Sequence, residues 1–204
     1  MSLTYEFKSR HSHQREGIQQ NAFSFLHCKN TTTNIKEEST VLQLESERLT
    51  YREITEQDFE IVAGILRDPE VRRIWEQDFS DEEVWAWIAR RQEGYRKSGI
   101  DYLLALDKAT GQPVGQIGVL REEINGEKVW GVGYILRSDC RKKGYAGELI
   151  KAAIEDARKQ GRKGLVLTCK DKLIHYYAKF GFVNEGVSQS VHGNVVWYQM
   201  RLTF

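Results

Sequence analysis

The stretch that decides the fold is Arg141-Lys142-Lys143-Gly144-Tyr145-Ala146, which lies between a predicted strand and a predicted helix. Apolar residues follow it at the i, i+3, i+4, i+7 spacing of one buried helical stripe. The stripe comprises Ala146, Leu149, Ile150, Ala153, Ile154 and Ala157. This pattern predicts an amphipathic helix from about Tyr145 to Gln160, ended by Gly161, with Glu148 and Glu155 on its solvent face.

A helix that begins directly after such a loop can bind phosphate, because the N–H groups of its first turn are free and its dipole is positive there. Gly144 lets the backbone curl closely around an oxygen-rich group. The alternative is an ordinary strand-to-helix connection with three solvated basic residues. A P-loop would need a longer glycine loop ending in Lys-Ser/Thr, and a dinucleotide fold would need G-x-G-x-x-G; neither is present.

Composition excludes several other classes of protein. Thirty basic and 29 acidic side chains among 204 residues leave a net charge of +1, so no overall field attracts nucleic acid or anionic lipid. No apolar run approaches the roughly 20 residues of a membrane span. Cys28, Cys140 and Cys169 are odd in number and far apart, and the start of the chain has no apolar signal core. We therefore expect no disulfide framework and a cytoplasmic location.

Residues 1–43 differ from the rest in being polar, and we interpret them as an extension that is flexible or docked on the surface. His11, His13, His27 and Cys28 fall there, but their spacing matches no structural zinc pattern, so we expect no metal site. Residues 44–204 are predicted to form one domain.

The sequence of the first half of that domain predicts a strand, two helices and then three more strands. Leu49–Ile54 alternates as a strand, and a helix begins near Thr55 and ends at Asp68-Pro69. Ser80-Asp81-Glu82-Glu83 is a capping box for a second helix, which Gly99 ends. Three strands then form a meander, with a tight turn at 110–113 and a hairpin at Asn125-Gly126. Their predicted ranges are Asp101–Asp107, Val114–Glu122 and Lys128–Arg137.

After the amphipathic helix we predict a strand at Leu165–Cys169, a short helix at Lys172–Phe180 and final strands at Phe182–Val187 and Val195–Leu202. The economical arrangement of these elements is an α/β (α+β) fold with a mixed, mainly antiparallel sheet flanked by helices.

The R-x-x-G-x-A loop at Arg141–Ala146 resembles the signature of the GCN5-related N-acetyltransferase (GNAT) superfamily. The resemblance covers about residues 45–204. Leu44–Leu49 and Gly133–Leu136 are similar to the branch that acetylates ribosomal-protein N-termini. Leu167–Leu173 and Tyr176–Phe182 are similar instead to bacterial relatives of arylalkylamine N-acetyltransferase.

This resemblance implies acetyl-coenzyme A (acetyl-CoA) as co-substrate, bound where the fourth and fifth strands splay apart. Backbone groups of Ile135, Leu136 and Arg137 would pair with its pantetheine arm and polarise the thioester carbonyl. The pyrophosphate would be held by backbone amides, with Arg141 in support. These amides are those of Lys142, Lys143, Gly144, Tyr145, Ala146 and Gly147.

By the same resemblance, Tyr177 is the candidate acid that protonates the leaving thiolate; the alternative is a core aromatic residue. The superfamily often places a glutamate or histidine on its fourth strand as the general base, where this chain has Gly131 and Gly133. Four other residues are weaker candidates for the base. They are Glu122, Glu123, His175 and His192. An acyl-enzyme route through Cys169 is disfavoured, because no adjacent His/Asp arrangement activates it.

The implied reaction is direct acetyl transfer to a primary amine in a ternary complex, with a small amine favoured over a protein N-terminus. Tryptophans and tyrosines could line an aromatic amine pocket, although most are expected in the core. The missing base at Gly131 and Gly133 leaves a second hypothesis open, a non-catalytic coenzyme A-binding sensor or interaction module. A monomer or a homodimer is expected.

Overall fold

Seven strands form one sheet in the order β1-β2-β3-β4-β5-β7-β6. They are β1 Leu49–Glu53, β2 Leu103–Asp107, β3 Pro113–Ile124, β4 Glu127–Leu136, β5 Gly164–Cys169, β6 Val183–Val187 and β7 Tyr198–Thr203. Every neighbouring pair is antiparallel except β4 with β5. The predicted mixed, mainly antiparallel sheet is confirmed, and most strand bounds agree within two or three residues.

The computed structural model describes residues 44–75, 77–124, 126–189 and 196–204. The predicted extension at 1–43 and the candidate base His192 lie outside these residues. The hairpin prediction is supported by the register of β3 and β4, in which Ile124 faces Glu127. Gly126 has a φ of 80°, the left-handed conformation that such a short connection requires.

Five α-helices are seen in the described residues. They are α1 Phe59–Leu66, α2 Pro69–Trp75, α3 Asp81–Ser98, α4 Tyr145–Lys159 and α5 Ile174–Ala178. The capping box of α3 is present: the N–H of Ser80 donates to Glu83 Oε2 at 2.8 Å, and the N–H of Glu83 donates to Ser80 Oγ at 3.3 Å. Gly99, at φ 70°, ends that helix as predicted.

The sequence interpretation was incomplete at Asp68-Pro69, which it took only as the end of a helix. Pro69 also begins α2, where its missing N–H costs nothing and its fixed φ suits the first turn. Asp68 Oδ1 accepts from the N–H of Glu70 at 2.9 Å and so caps the new helix.

The helices lie on two faces of the sheet. Helix α4 packs its predicted apolar stripe against one face, and Leu149, Ala153 and Ala157 are fully buried there. The first helices cover the other face, where Val62 of α1 and Trp87 of α3 pack with Ile135 of β4. Successive residues of β4 therefore face different helices.

Strands β4 and β5 are joined at a single parallel bridge, between Gly131 and Val166. Beyond it, toward their carboxyl ends, the two strands are not paired in the part of the chain that the structure describes. The predicted splaying of the fourth and fifth strands is confirmed. We call the resulting gap the seam.

Candidate active site

The glycine loop stands at the start of α4, as the sequence predicts. Gly144 is left-handed, with φ 87°, and directly precedes the helix. The N–H of Glu148 donates to the carbonyl of Gly144 at 3.2 Å. The N–H groups of Tyr145, Ala146 and Gly147 have no partner within the helix, because they precede this first hydrogen bond. The side chains of Lys142 and Lys143 are exposed beside them.

Arg48, a residue that the sequence analysis missed, holds this loop from outside. Its guanidinium lies 4.4 Å from the centre of the Tyr145 ring, and Nη1 donates to the carbonyl of Lys143 at 3.1 Å. Its Nε donates to Glu148 Oε2 at 2.8 Å. Arg48 lies in the stretch that carries the resemblance, but nothing in its spacing distinguishes it from a surface arginine.

Glu148 is half-buried, so the prediction that it lies on the solvent face is wrong. Its Oε1 accepts from the N–H of Arg48 at 2.6 Å and from Ser46 Oγ. Burial opposes ionisation of Glu148, but the hydrogen bonds from Ser46 and Arg48 outweigh it and lower its pKa. The carboxylate thus fixes the residues before β1 against the first turn of α4.

A groove of about 950 Å³ runs beside the loop. Its walls include Arg48, Gly144 and Gly147 on one side and Tyr176 and Phe180 on the other. A Cβ at Gly147 would lie 3.4 Å from the Phe180 ring, so glycine keeps the walls close without a clash. Its volume is that of a site for a large organic ligand.

Arg141 contacts acidic residues in this structure. Its Nη2 donates to Asp68 Oδ1 at 2.9 Å and to the carbonyl of Leu136 at 3.1 Å, and its Nη1 donates to Glu70 Oε2 at 2.7 Å. These bonds tie α2 and the end of β4 to the loop. Arg141 would therefore support a phosphate mainly by holding the loop in place.

The backbone hydrogen-bonding groups of β4 point alternately toward β3 and toward β5. The N–H of Arg137 donates to the carbonyl of Val114 at 3.0 Å. Since hydrogen-bonded positions alternate along an antiparallel pair, Arg137 and Ile135 bond to β3. The peptide groups of Tyr134 and Leu136, which alternate with them, point toward the seam. Of the three residues predicted to pair with the pantetheine arm, only Leu136 has its peptide groups directed to the seam. Tyr134, which was not predicted, has the same orientation.

Tyr177 lies on α5 with 6% of its surface exposed. Its hydroxyl is 2.9 Å from that of Tyr134, and its ring packs edge-on against Tyr176 and Phe182. Burial, followed by the neighbouring Tyr134, raises the pKa of Tyr177 well above 10, so its hydroxyl is protonated at neutral pH. A proton donor for a thiolate needs that state.

The opposite face of β4 carries the two glycines at which the resemblance leads one to expect a base. Two polar side chains lie there instead. A Cβ at Gly131 would lie 1.9 Å from Glu122 Oε1, and a Cβ at Gly133 would lie 2.3 Å from the hydroxyl oxygen of Tyr102. Burial raises the pKa of Glu122 to about 7.

The other candidate residues are placed less favourably. Glu123 and His175 are exposed. Cys169 is 1% exposed, and burial raises the pKa of its thiol to about 11, which leaves almost no thiolate at neutral pH. This placement supports the sequence interpretation of Cys169 as a buried small residue.

The aromatic residues expected around an acceptor are mostly structural. Trp87 is buried, and its Nε1 donates to Gln116 Oε1 at 3.0 Å. The hydroxyl of Tyr95 accepts from the N–H of Ile54 at 3.1 Å. Trp75 is half-buried, 5.7 Å from the Trp87 ring, and Tyr102 continues this cluster at 5.9 Å from Trp87.

Within the described ranges, no group of three or more His, Cys, Asp or Glu side chains could hold a metal ion. No helix in the same part of the chain is long and apolar enough to cross a membrane.

Comparison with known proteins agrees with this geometry. The curated protein YkkB of Bacillus subtilis (strain 168), itself uncharacterized, is 28% identical over 117 residues, which are 55% of this chain and 66% of YkkB. The match thus spans just under two thirds of that relative's own length.

Two solved structures share the fold. A spermidine N-acetyltransferase from Vibrio cholerae, in complex with CoA and spermine, superposes with a TM-score of 0.62 at 17% identity, covering 76% of this chain and 95% of that one. A ribosomal-protein-S5-alanine acetyltransferase from Vibrio fischeri superposes with a TM-score of 0.61 at 19% identity, covering 78% of this chain and 94% of that one.

The sequence also matches the model of the acetyltransferase (GNAT) domain from residue 48 to residue 172. That span contains Arg48, the glycine loop, the seam and Glu122. With its loop, its splayed strands and this match over more than half its length, the chain belongs to the GNAT acetyltransferase family.

Proposed function

We propose that this protein transfers an acetyl group from acetyl-CoA to a primary amine by direct attack in a ternary complex. A small amine is favoured over a protein N-terminus. The observation that carries the proposal is the presence of three features in one structure: the free amides at the start of α4, the groove beside them and the seam, with the Tyr177 hydroxyl bonded to Tyr134 of β4.

The residues present fit acetyl-CoA. The amides of the loop and the side chains of Lys142 and Lys143 would hold the pyrophosphate, and Arg48 would keep the loop in shape. The groove would take the nucleotide end, and the peptide groups of Tyr134 and the N–H of Leu136 would bond the pantetheine arm, since the carbonyl of Leu136 accepts from Arg141. The co-substrate supplies an acetyl group activated as a thioester.

Two parts of the chain would serve the transfer itself. An N–H group of β4 at the seam stabilises the negative charge that develops on the carbonyl oxygen. Tyr177 donates its hydroxyl proton to the sulfur as the thiolate leaves, and Tyr134 holds that hydroxyl in place at 2.9 Å. The buried thiol of Cys169 supports direct transfer over an acyl-enzyme.

The far side of β4 supports an amine as the acceptor. The carboxylate of Glu122, which lies in the space beside Gly131, gives this face a negative charge that suits a cationic amine. The V. cholerae neighbour acts on spermidine and the V. fischeri neighbour on a ribosomal protein, so both amine classes occur on this fold.

The test is release of coenzyme A thiol with a panel of polyamines, arylalkylamines and short peptides with free N-termini. We expect at least one small amine to accelerate thiol release and to gain the mass of an acetyl group. If acetyl-CoA binds but no acceptor accelerates release above hydrolysis, the non-catalytic sensor is the better assignment. A cytoplasmic location and a monomer or homodimer remain part of the proposal.

A further inference from the structure

Three glycines make room for two polar side chains at the bridge between β4 and β5. Gly131 is the residue of that bridge, and its missing side chain is replaced by the carboxylate of Glu122 from β3. Gly133 faces Gly118 across the β3–β4 pair, and the ring of Tyr102 covers both positions. A Cβ at Gly118 would lie 2.7 Å from that ring.

The carboxylate of Glu122 has no hydrogen bond or ion pair to any residue that the structure describes. Two other charged side chains that act on the neighbouring Tyr102 bind each other: Arg91 of α3 and Asp101 form a buried pair at 3.0 Å. Tyr102 is the titratable group beside Glu122, and the charges of Arg91, Glu122 and Asp101 all act on its hydroxyl.

The position of the Glu122 carboxylate would lower the stability of the fold without any gain if its role were only structural. Glu122 is half-buried, and a carboxylate that is largely removed from water without a partner destabilises the fold. Here the carboxylate stands at the closed end of the seam, on the face of β4 opposite Tyr177. A carboxylate at this position that is unpaired and only partly reached by water is suited to receive a proton.

We propose that Glu122 is the general base of the acetyl transfer, reaching from β3 into the space that Gly131 leaves on β4. This inference rests on the proposed function. The amine first releases its ammonium proton to solvent, and the neutral nitrogen forms a bond to the acetyl carbon as the carbon–sulfur bond breaks. Glu122 takes the proton that the nitrogen loses, directly or through one water molecule, and Tyr177 gives its proton to the sulfur. Solvent then returns a proton from Glu122 to Tyr177, so the charges balance.

Tyr102 acts as a positioning residue for this base. Its hydroxyl fills the space above Gly133, two residues closer than Gly131 to the open end of the seam. Burial, opposed by Arg91, keeps the pKa of Tyr102 above its ordinary value, so the hydroxyl is a neutral donor and acceptor. It lies at Gly133, between the carboxylate at Gly131 and the carboxyl end of β4.

The first experiment compares the pH dependence of kcat/KM for the best amine in the wild type and in Glu122→Gln. The wild-type rate should rise through a pKa of about 7, separate from the amine's own ionisation near 10. In Glu122→Gln that rise should disappear, and kcat should fall about 100-fold, while the KM for acetyl-CoA stays within about twofold. Glu123→Gln, one residue along the same strand and exposed, should match the wild type.

The second experiment moves the base from β3 to β4. Because a Cβ at Gly131 falls on the Glu122 carboxylate, the pair Glu122→Gly with Gly131→Asp, in which the carboxyl carbon is bonded directly to Cβ, puts a carboxylate back next to the same place. We expect the pair to recover about tenfold of the activity that Glu122→Gly loses. Circular dichroism and Tm confirm that each variant is folded.

The outcomes separate the two proposals. If the wild type acetylates an amine and Glu122→Gln is equally active, or is slower but keeps the rise near pH 7, Glu122 is not the base, and the acetyltransferase assignment stands. A wild type that acetylates no amine overturns both. Recovery of activity in the exchanged pair would be hard to obtain from a merely structural role.

Discussion

The hydroxyl oxygens of Tyr134 and Tyr177 lie 2.9 Å apart and join the seam side of β4 to helix α5. The two residues are 43 positions apart in the chain, and no local pattern relates them. Their contact places the candidate acid next to the peptide groups that would bond the co-substrate. It also gives the acid a partner that can hold its orientation.

Substitution of Tyr177 by Phe should lower kcat about 100-fold, because the thiolate then leaves without a proton donor. The KM for acetyl-CoA should change little, since the ring still packs against Tyr176 and Phe182. Tyr134→Phe removes the partner but keeps the acid, so its effect on kcat should be clearly smaller. Steady-state kinetics across pH measure both; equal activity of Tyr177→Phe and the wild type would make Tyr177 a core aromatic residue.

Gly144→Ala should weaken coenzyme A binding. A side chain at φ 87° strains the backbone by about 1 kcal/mol, and its Cβ would lie 3.3 Å from Arg48 Nη2, which holds the loop. Calorimetry should show about a tenfold higher Kd, because the loop amides lose their arrangement. Gly161→Ala is the matched control: its φ is 64°, its surroundings are open, and it lies at the other end of α4. Gly161→Ala should lose about as much stability as Gly144→Ala but keep its affinity for coenzyme A. Equal losses of affinity in the two variants would contradict the assigned role of the loop.

Glu122→Gln should be more stable than the wild type above neutral pH. Burial raises the pKa of Glu122 from 4.5 to about 7, so the folded state holds this proton more tightly than the unfolded state. Wild-type stability attributable to Glu122 therefore falls as pH rises from about 4.5 to about 7, by about 2 to 3 kcal/mol. Urea unfolding of both proteins at pH 5 and pH 8 measures the change. If the free energies of unfolding of the two proteins differ by the same amount at both pH values, folding does not raise the pKa of Glu122, as expected for a fully solvated carboxyl group.

Cys169→Ala should retain full acetyl transfer. The thiol is buried and its pKa is about 11, so it is not a nucleophile at neutral pH. Stability should fall by about 1 kcal/mol for the small cavity. Intact-protein mass spectrometry after incubation with acetyl-CoA should show no acetyl group on Cys169. An acetylated cysteine that forms and decays at the turnover rate would refute direct transfer.

Local patterns were sufficient to predict most of the fold. The capping box at Ser80, the turn at Gly126 and the stripe of α4 each depend on neighbours within a few residues, and each lies where it was predicted. Helix α2 escaped prediction because Asp68-Pro69 is equally suited to end one helix and to begin another.

The active site was less accessible from sequence because its key contacts are distant along the chain. Arg48 meets the loop some 95 residues later, and the ordering of Glu122 over Glu123 as a base depends on which face of β3 each occupies. The glycines of β4 are informative only after the fold is known. From the sequence, these glycines show that β4 itself carries no base. They do not show that the carboxylate of Glu122, on the neighbouring strand β3, fills the space.

The single bridge between Gly131 and Val166 divides the sheet into two leaves, β1–β4 and β5–β7. Peptide groups along the open edge can exchange their hydrogens through small local openings, without unfolding of the whole protein. A co-substrate that pairs with that edge ties the leaves together and stabilises only the folded state. The melting temperature of this enzyme should therefore rise and fall with the amount of acetyl-CoA around it.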